Sequence, residues 1–291
     1  MALRPTGTGI WSAPLRYGDP GPSADAAAEV EALGYTAIWL PDVGGELFEA
    51  VDNLLGATET LTVASGILNI WMHEPADAAA EHERLAQAHG RRFLMGIGVS
   101  HAPFINMIKE EQPYQKPLTS MREYLDGIDA SPTPVPSDER VLAALGPKML
   151  ELAKARAAGT HPYLVLPEHT AAARAALGDG PLVAPEQGVV LDTNPQTARA
   201  TARKHLATYL NLPNYTNNWL RLDFTEDDLA DGGSDRLVDA LVVWGDEQAI
   251  ADRVQAHRDA GADHVCIQVL TDDQSSDGLE QLRRLAPALT A

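Results

Sequence analysis

The sequence predicts a (β/α)8 barrel, and three observations carry that expectation. Short apolar runs of strand character recur roughly every 25 to 30 residues and alternate with helical patterns. The runs are apolar on both faces, as parallel strands covered by helices must be. The length, 291 residues, could hold two ordinary domains or one large barrel, a fold that commonly takes about 250 residues. A doubly wound open sheet is the alternative, but the even recurrence of the units favours closure, and the right-handed crossover rule permits both. We therefore expect one barrel domain over 1–291, with insertions at about 101–139, after strand four, and 211–245, between strands seven and eight.

Each element has its own signal. TGIWSA, from Thr8, reads as strand one, and Ser23 opens an Ala-rich helix that Gly34 closes. Thr36 to Leu40 is strand two, stopped by Pro41-Asp42. Phe48, Val51, Leu54 and Leu55 share one helical face, so 46–58 is the next helix. Leu61 to Leu68 is strand three, with Gly66 near its end. Ala76 to His89 is the third helix. The stretch RRFLMGIGVSH, Arg91 to His101, is strand four, buried on both faces. Its Gly96 and Gly98 imply a bulge or a surface pressing on the backbone, either a packed helix or a flat ligand. Arg91 and Arg92, at the opposite end from Ser100 and His101, read as stability residues.

The rhythm breaks from His101 to Glu139, where TSMREYLDGI predicts a helix and SPTPVPSDE cannot be a central strand. Arg140 to Leu145 is strand five, and Gly146-Pro147 start a helix that Gly159 ends. Pro162 to Leu166 and Glu186 to Leu191 are strands six and seven. Asn194-Pro195 cap the following helix. The second insertion contains a helix capped by Ser234 and no strand signal of its own. Asp246 caps the last long helix, and HVCIQV is strand eight.

Composition narrows the function classes. Lys and Arg number 22 against 41 Asp and Glu, a net charge of -19, which disfavours nucleic acid and anionic membranes as partners. Cys266 stands alone, so no intramolecular disulfide exists, and its apolar surroundings predict an inert thiol. The amino terminus lacks the apolar core of a signal peptide and no run approaches spanning length, so the expected location is cytoplasmic, with a small-molecule partner and no membrane.

Barrel chemistry gathers at the carboxyl ends of the strands. The candidates there are Ser12, Asp42, Gly66 to Asn69, Gly98 to His101, Gly146, Glu168, Asp192 and Gln268. They are mostly small or apolar, which suits a planar cofactor rather than a metal. None of the histidines forms an HExxH pair, and no metal is expected. Gly146-Pro147 at a helix start offers free N–H groups and a positive dipole end to a phosphate, with Lys148 nearby; an ordinary βα turn is the alternative. Walker, GxGxxG and GxSxG patterns are absent. Asp42 reads as a cofactor contact or a helix cap, His101 as a proton donor or a structural histidine. Trp71 and Trp219 line a pocket or pack the core.

WLPD at 39–42, SGILN at 65–69, GRRFLMGIGVSH at 90–101 and ALGPKMLELAKARAAG at 144–159, in this order, resemble the luciferase-like monooxygenase superfamily. The likeness is greatest to its branch using the deazaflavin coenzyme F420. The resemblance implies a TIM barrel, usually a homodimer, with hydride transfer at a flavin-type ring in the barrel mouth; FMN is the alternative cofactor. It also implies roles for particular residues: Asp42 as an acidic cofactor contact, Gly66-Ile67 as a bulge with a non-proline cis peptide, Gly98, Val99 and Ser100 as a cofactor wall, and Gly146-Pro147 as the phosphate turn. One departure stands out. Some deazaflavin dehydrogenases follow the strand-two acid with a catalytic histidine, and here Val43 takes that place, leaving His101 as the nearest replacement. The expected activity is an F420-dependent oxidoreductase, with an FMN-dependent monooxygenase and a noncatalytic flavin-binding protein as alternatives.

Overall fold

A computed structural model describes residues 3–108, 114–273 and 276–290. Eight parallel strands form the barrel: β1 Gly7–Trp11, β2 Ala37–Leu40, β3 Thr62–Ser65, β4 Phe93–Gly98, β5 Arg140–Leu142, β6 Gly159–Thr160, β7 Glu186–Val190 and β8 His264–Val269. From β1 to β6 consecutive strands pair in order, β7 pairs with β8, and β8 pairs with β1 through Gly7↔His264 to Ile10↔Ile267. The ring closes through one interrupted strand. Leu182–Val183 pairs with β6, the chain passes Ala184-Pro185, and β7 then pairs with β8 through Cys266↔Glu186. The Pro185 carbonyl accepts from the Cys266 N–H at 3.0 Å, so hydrogen bonding spans the interruption.

The interior of the ring is packed. Ala37, Trp39, Ala64, Leu94, Val141, Leu182, Ala184 and Cys266 fill it as one cluster. A larger apolar cluster lies between the strands and helices such as Leu47–Gly56 and Pro75–His89. Arg91 pairs with Glu139, and Arg92 donates to the carbonyls of Leu55 (2.7 Å) and Leu61 (3.2 Å). Both arginines therefore tie together backbone and side chains at the amino-terminal end of the barrel. Cys266 is fully buried, and burial raises its thiol pKa well above the ordinary value.

Four expectations need correction. Strand six lies at Gly159–Thr160, not at 162–166. Pro162 has no N–H for the ladder, Leu164 adopts φ 52°, and the Leu164 N–H donates to Glu186 Oε2 at 3.0 Å. Strand three is not continuous to Leu68. It stops at Ser65, passes a cis Gly66-Ile67 bond, and resumes as Leu68–Asn69 against β4. The second insertion does hold a strand, Val242–Trp244, on the far side of β7 from β8. That edge is open because β6 is too short to cover it. The first long helix starts at Pro20, not Ser23, because Pro20 and Pro22 both lie in its first turn, where no N–H is required. The helix starts at Asn194, Ser234 and Asp246 are as expected, each side chain accepting a first-turn N–H.

The glycines of β4 are pressed by neighbouring chain, and Gly98 also lines the cavity described below. A Cβ at Gly96 would lie 2.0 Å from the Ser65 carbonyl oxygen, and one at Gly98 would lie 2.5 Å from the Ile67 side chain. The pressing surface is the broken end of β3. Among the described residues, no helix is long and apolar enough to cross a membrane. Gly96→Ala should therefore lower the unfolding free energy by about 2–3 kcal/mol in urea melts, the cost of overpacking against backbone that cannot rotate away. A loss under about 0.5 kcal/mol would contradict this strand contact.

Candidate functional site

A cavity of about 560 Å³ lies at the carboxyl ends of the barrel strands, and Asp42, Gly66, Ile67, Gly98, Val99, Ser100, His101 and Gly146 all line it. Five strands deliver these residues: β2 ends just before Asp42, β3 just before Gly66, β4 at Gly98, and β5 runs out toward Gly146, while β6 brings His161. Pro147 is outside the lining and fixes the first turn of helix Pro147–Arg156 instead. Gly146 is open: a Cβ there would meet nothing within 4 Å, so close packing does not explain that glycine.

Asp42 is held from behind. Its Oδ2 accepts from the Asn69 N–H at 3.0 Å and from His73 Nε2 at 2.8 Å, while its buried Oδ1 has no partner. Val43, beside it, is exposed, and the imidazole at the acid comes from His73 in the turn after Leu68–Asn69.

His101 is fixed by Asn214, whose amide nitrogen donates to the Ser100 carbonyl at 3.2 Å and approaches His101 Nδ1 at 3.3 Å. Nδ1 then accepts, and the ring proton sits on Nε2. Burial lowers the His101 pKa to about 4, so the ring is neutral near pH 7 and offers an N–H donor. Ser100 has φ 56°, which turns the chain sharply between the β4 wall and His101.

His161 is fully buried and stacks on Trp39 with ring centroids 4.0 Å apart. Its Nδ1 donates to the Ala184 carbonyl at 2.7 Å, leaving Nε2 as an acceptor without a partner. A Cβ at Gly66 would lie 3.1 Å from that Nε2 and 2.8 Å from Trp11 Nε1. Trp11 Nε1 also donates to the Gly66 carbonyl at 3.0 Å, so the bulge is gripped from two sides.

Other candidates fall elsewhere. Ser12 and Gln268 line a second cavity of about 340 Å³, which shares Trp11, Thr208 and Tyr209 with the first. Glu168 lies in the first turn of helix Pro167–Leu177, and Asp192 accepts from the Asn194 N–H at 2.8 Å, so both serve helix starts. Lys148 is exposed and outside the lining. Trp219 is fully buried and donates to the Leu164 carbonyl at 3.2 Å, and Trp71 donates to the Val99 carbonyl at 2.9 Å. Both are packing residues. Sequence reasoning missed His73, His161, Asn214, Arg221 and the tyrosines 163, 209 and 215. A two-residue strand six would have placed His161 at a strand end, and the tyrosines carried only an aromatic enrichment.

No group of three or more His, Cys, Asp and Glu side chains converges as a metal site among the described residues. A family model described as "Luciferase-like monooxygenase" matches residues 6–131 and 126–264. No curated protein sequence matches the chain. Similar solved structures include an F420-dependent secondary alcohol dehydrogenase in complex with an F420-acetone adduct, with TM-score 0.74, 15% identity and coverage of 98% of this chain and 99% of that one. EDTA monooxygenase from Chelativorans sp. BNC1 has TM-score 0.75, 14% identity and coverage of 98% and 93%. The oxygenating constituent of 3,6-diketocamphane monooxygenase from the CAM plasmid of Pseudomonas putida, in complex with FMN, has TM-score 0.69, 13% identity and coverage of 98% and 98%.

Burial lowers the pKa of His82, His101, His161 and His205 to about 4 and of His257 and His264 to about 3, from an ordinary 6.5. Between those values the unfolded chain binds more protons, so stability is lost as pH falls through the window. Glu186 works the other way: burial raises it from 4.5 to about 8, so its contribution is lost as pH rises toward 8. The histidines outnumber it. Urea melts should give a lower unfolding free energy at about pH 5 than at about pH 6.5, and a flat profile would contradict neutral burial of these rings.

Proposed function

Because the chain belongs to the luciferase-like monooxygenase family, we propose that its cavity binds a flavin-type ring. We further propose that the protein is an F420-dependent oxidoreductase, moving a hydride between the deazaflavin and a small organic substrate. The observation that carries this reading is the convergence of Asp42, Gly66, Ile67, Gly98, Val99, Ser100 and Gly146 on one cavity. The residues fit such a group: Asp42 Oδ1 and His161 Nε2 are buried acceptors without partners, and the space at Gly146 is open.

A bound deazaflavin supplies the hydride acceptor or donor that these side chains lack. Asp42 Oδ1, fixed by Asn69 and His73, accepts a hydrogen bond from a ligand hydroxyl or N–H. The β4 wall from Gly98 to Ser100 and the bulge at Gly66-Ile67 flank the ring. The helix start at Gly146 and Pro147 favours a phosphate, and Arg221 adds the one Lys or Arg that the described residues bring to the cavity lining. His101 donates its Nε2 proton in a hydrogen bond toward the reacting oxygen while staying neutral. The resemblance also leads us to propose a homodimer, which sedimentation velocity reports.

A second reading, an FMN-dependent monooxygenase, draws on that same Arg221. One cation and one helix start match the single phosphate of FMN, whereas F420 carries further carboxylates. Titrating both cofactors by fluorescence separates the readings, and tighter binding of FMN would overturn the first. Asp42→Asn should weaken the preferred cofactor roughly tenfold or more, as expected when a charged acceptor is lost. In the working enzyme, His101→Asn should slow turnover by roughly 10²-fold and leave cofactor affinity within about twofold. Unchanged turnover would make His101 structural.

A further inference from the structure

The cavity has two unlike halves. One is the strand-end wall from β2 to β5, where Asp42, the Gly66 bulge, the Gly98 to Ser100 wall and Gly146 lie. The other is aromatic. Trp11 ends β1, Tyr163 follows β6, and Tyr209 and Tyr215 come from the segment after β7. These rings form a continuous wall, with centroids 5.4 Å apart for Trp11 and Tyr163, 5.5 Å for Tyr163 and Tyr209, and 5.2 Å for Tyr209 and Tyr215, the last pair edge-on at 89°. Such an arrangement leaves ring surface for a flat apolar guest.

The hydroxyls of this wall are not equivalent. Tyr163 donates to Gln268 Oε1 at 2.7 Å, and the Tyr209 hydroxyl lies 3.1 Å from that of Tyr163. The amide oxygen can only accept, so the Tyr163 proton is committed to it and the Tyr209 proton is directed to Tyr163. Tyr215 is 6% exposed, and its hydroxyl makes no hydrogen bond among the described residues. Burial raises its pKa well above the ordinary value, so it keeps its proton and remains a donor without an acceptor.

The four rings of this wall bring no charge of their own. Among the described residues, Arg221 is the only Lys or Arg in the lining; it is exposed, and the reading above gives its charge to the cofactor phosphate. Lys204 faces the neighbouring cavity and pairs with Asp272 at 3.3 Å. Glu186, behind the tyrosines, is held neutral by burial, with its pKa near 8. With Arg221 given to that phosphate, an anion would find no further counter-charge among the described residues here, inside a chain of net charge -19. An ammonium ion would leave the Tyr215 donor unmet.

We infer that the aromatic half is the substrate subsite, that it takes a neutral aromatic carbonyl compound, and that the Tyr215 hydroxyl selects it by donating to the carbonyl oxygen. This rests on the reading above, in which the strand-end half holds the cofactor. Tyr215 is thus a specificity residue.

The test uses protein saturated with whichever of FMN and F420 binds, and measures three probes by equilibrium dialysis: 2-acetylnaphthalene, 2-methylnaphthalene and 2-naphthoate. The ketone should bind roughly three- to tenfold tighter than the hydrocarbon or the anion, the margin of one net hydrogen bond. Tyr215→Phe should abolish that preference while leaving the hydrocarbon unchanged. No preference in the wild-type protein, equal losses for ketone and hydrocarbon, or expulsion of the ketone by the cofactor would each overturn the inference. If neither cofactor binds, the proposed function fails. The same dialysis on ligand-free protein then decides the subsite alone, where a Tyr215-dependent ketone preference supports it and its lack refutes it.

Discussion

Strand β3 leaves the barrel ladder at Ser65 and rejoins it at Leu68, and the room for that detour exists because β4 carries glycine at 96 and 98. A Cβ at either position would collide with the Ser65 carbonyl or the Ile67 side chain. The detour is held on its other side by Trp11, which donates to the Gly66 carbonyl, and at its end by Asp42, which accepts from the Asn69 N–H. Three neighbouring strands thus meet on one irregular segment. The cavity floor and the orientation of Asp42 follow from it.

Neutral polar rings are the second theme of the mouth. His101 and His161 are kept neutral by burial, and each has its tautomer set by one identified neighbour, Asn214 for the first and the Ala184 carbonyl for the second. One ring therefore offers a donor and the other an acceptor at fixed positions. In a low-dielectric cavity such oriented groups discriminate ligands by hydrogen-bond sense, because an unmatched partner is costly to bury.

The barrel and most of the mouth were legible in the sequence because their signals are local. Apolar runs, caps at Asn194, Ser234 and Asp246, and the glycines of β4 each leave a mark within a few residues. What escaped depends on distant partners. The run from Pro162 to Leu166 is apolar enough for a strand, but Leu164 gives its N–H to Glu186, far away in sequence. Val242–Trp244 becomes a strand only because β6 leaves the edge of β7 uncovered. The exchange of Val43 for a histidine was plain, whereas His73 reaching the same carboxylate required the fold of the turn after β3. The aromatic wall assembles Trp11, Tyr163, Tyr209 and Tyr215 from three places in the chain, and no spacing announces it.

The strand Val242–Trp244 has one more consequence. It joins the second insertion to β7 by backbone pairing, while the other end of that insertion leaves from the helix Pro195–Leu206. The segment bearing Tyr209, Tyr215 and Arg221 is therefore suspended between two anchors and packs on its own apolar cluster around Trp219. Backbone pairing does not depend on side-chain identity. The exposed positions among residues 209–221 are accordingly free to diversify, whereas Trp219, buried in that cluster, and Asn214, which holds His101, are constrained. In evolutionary terms the fold lets one half of the cavity vary while the other is held.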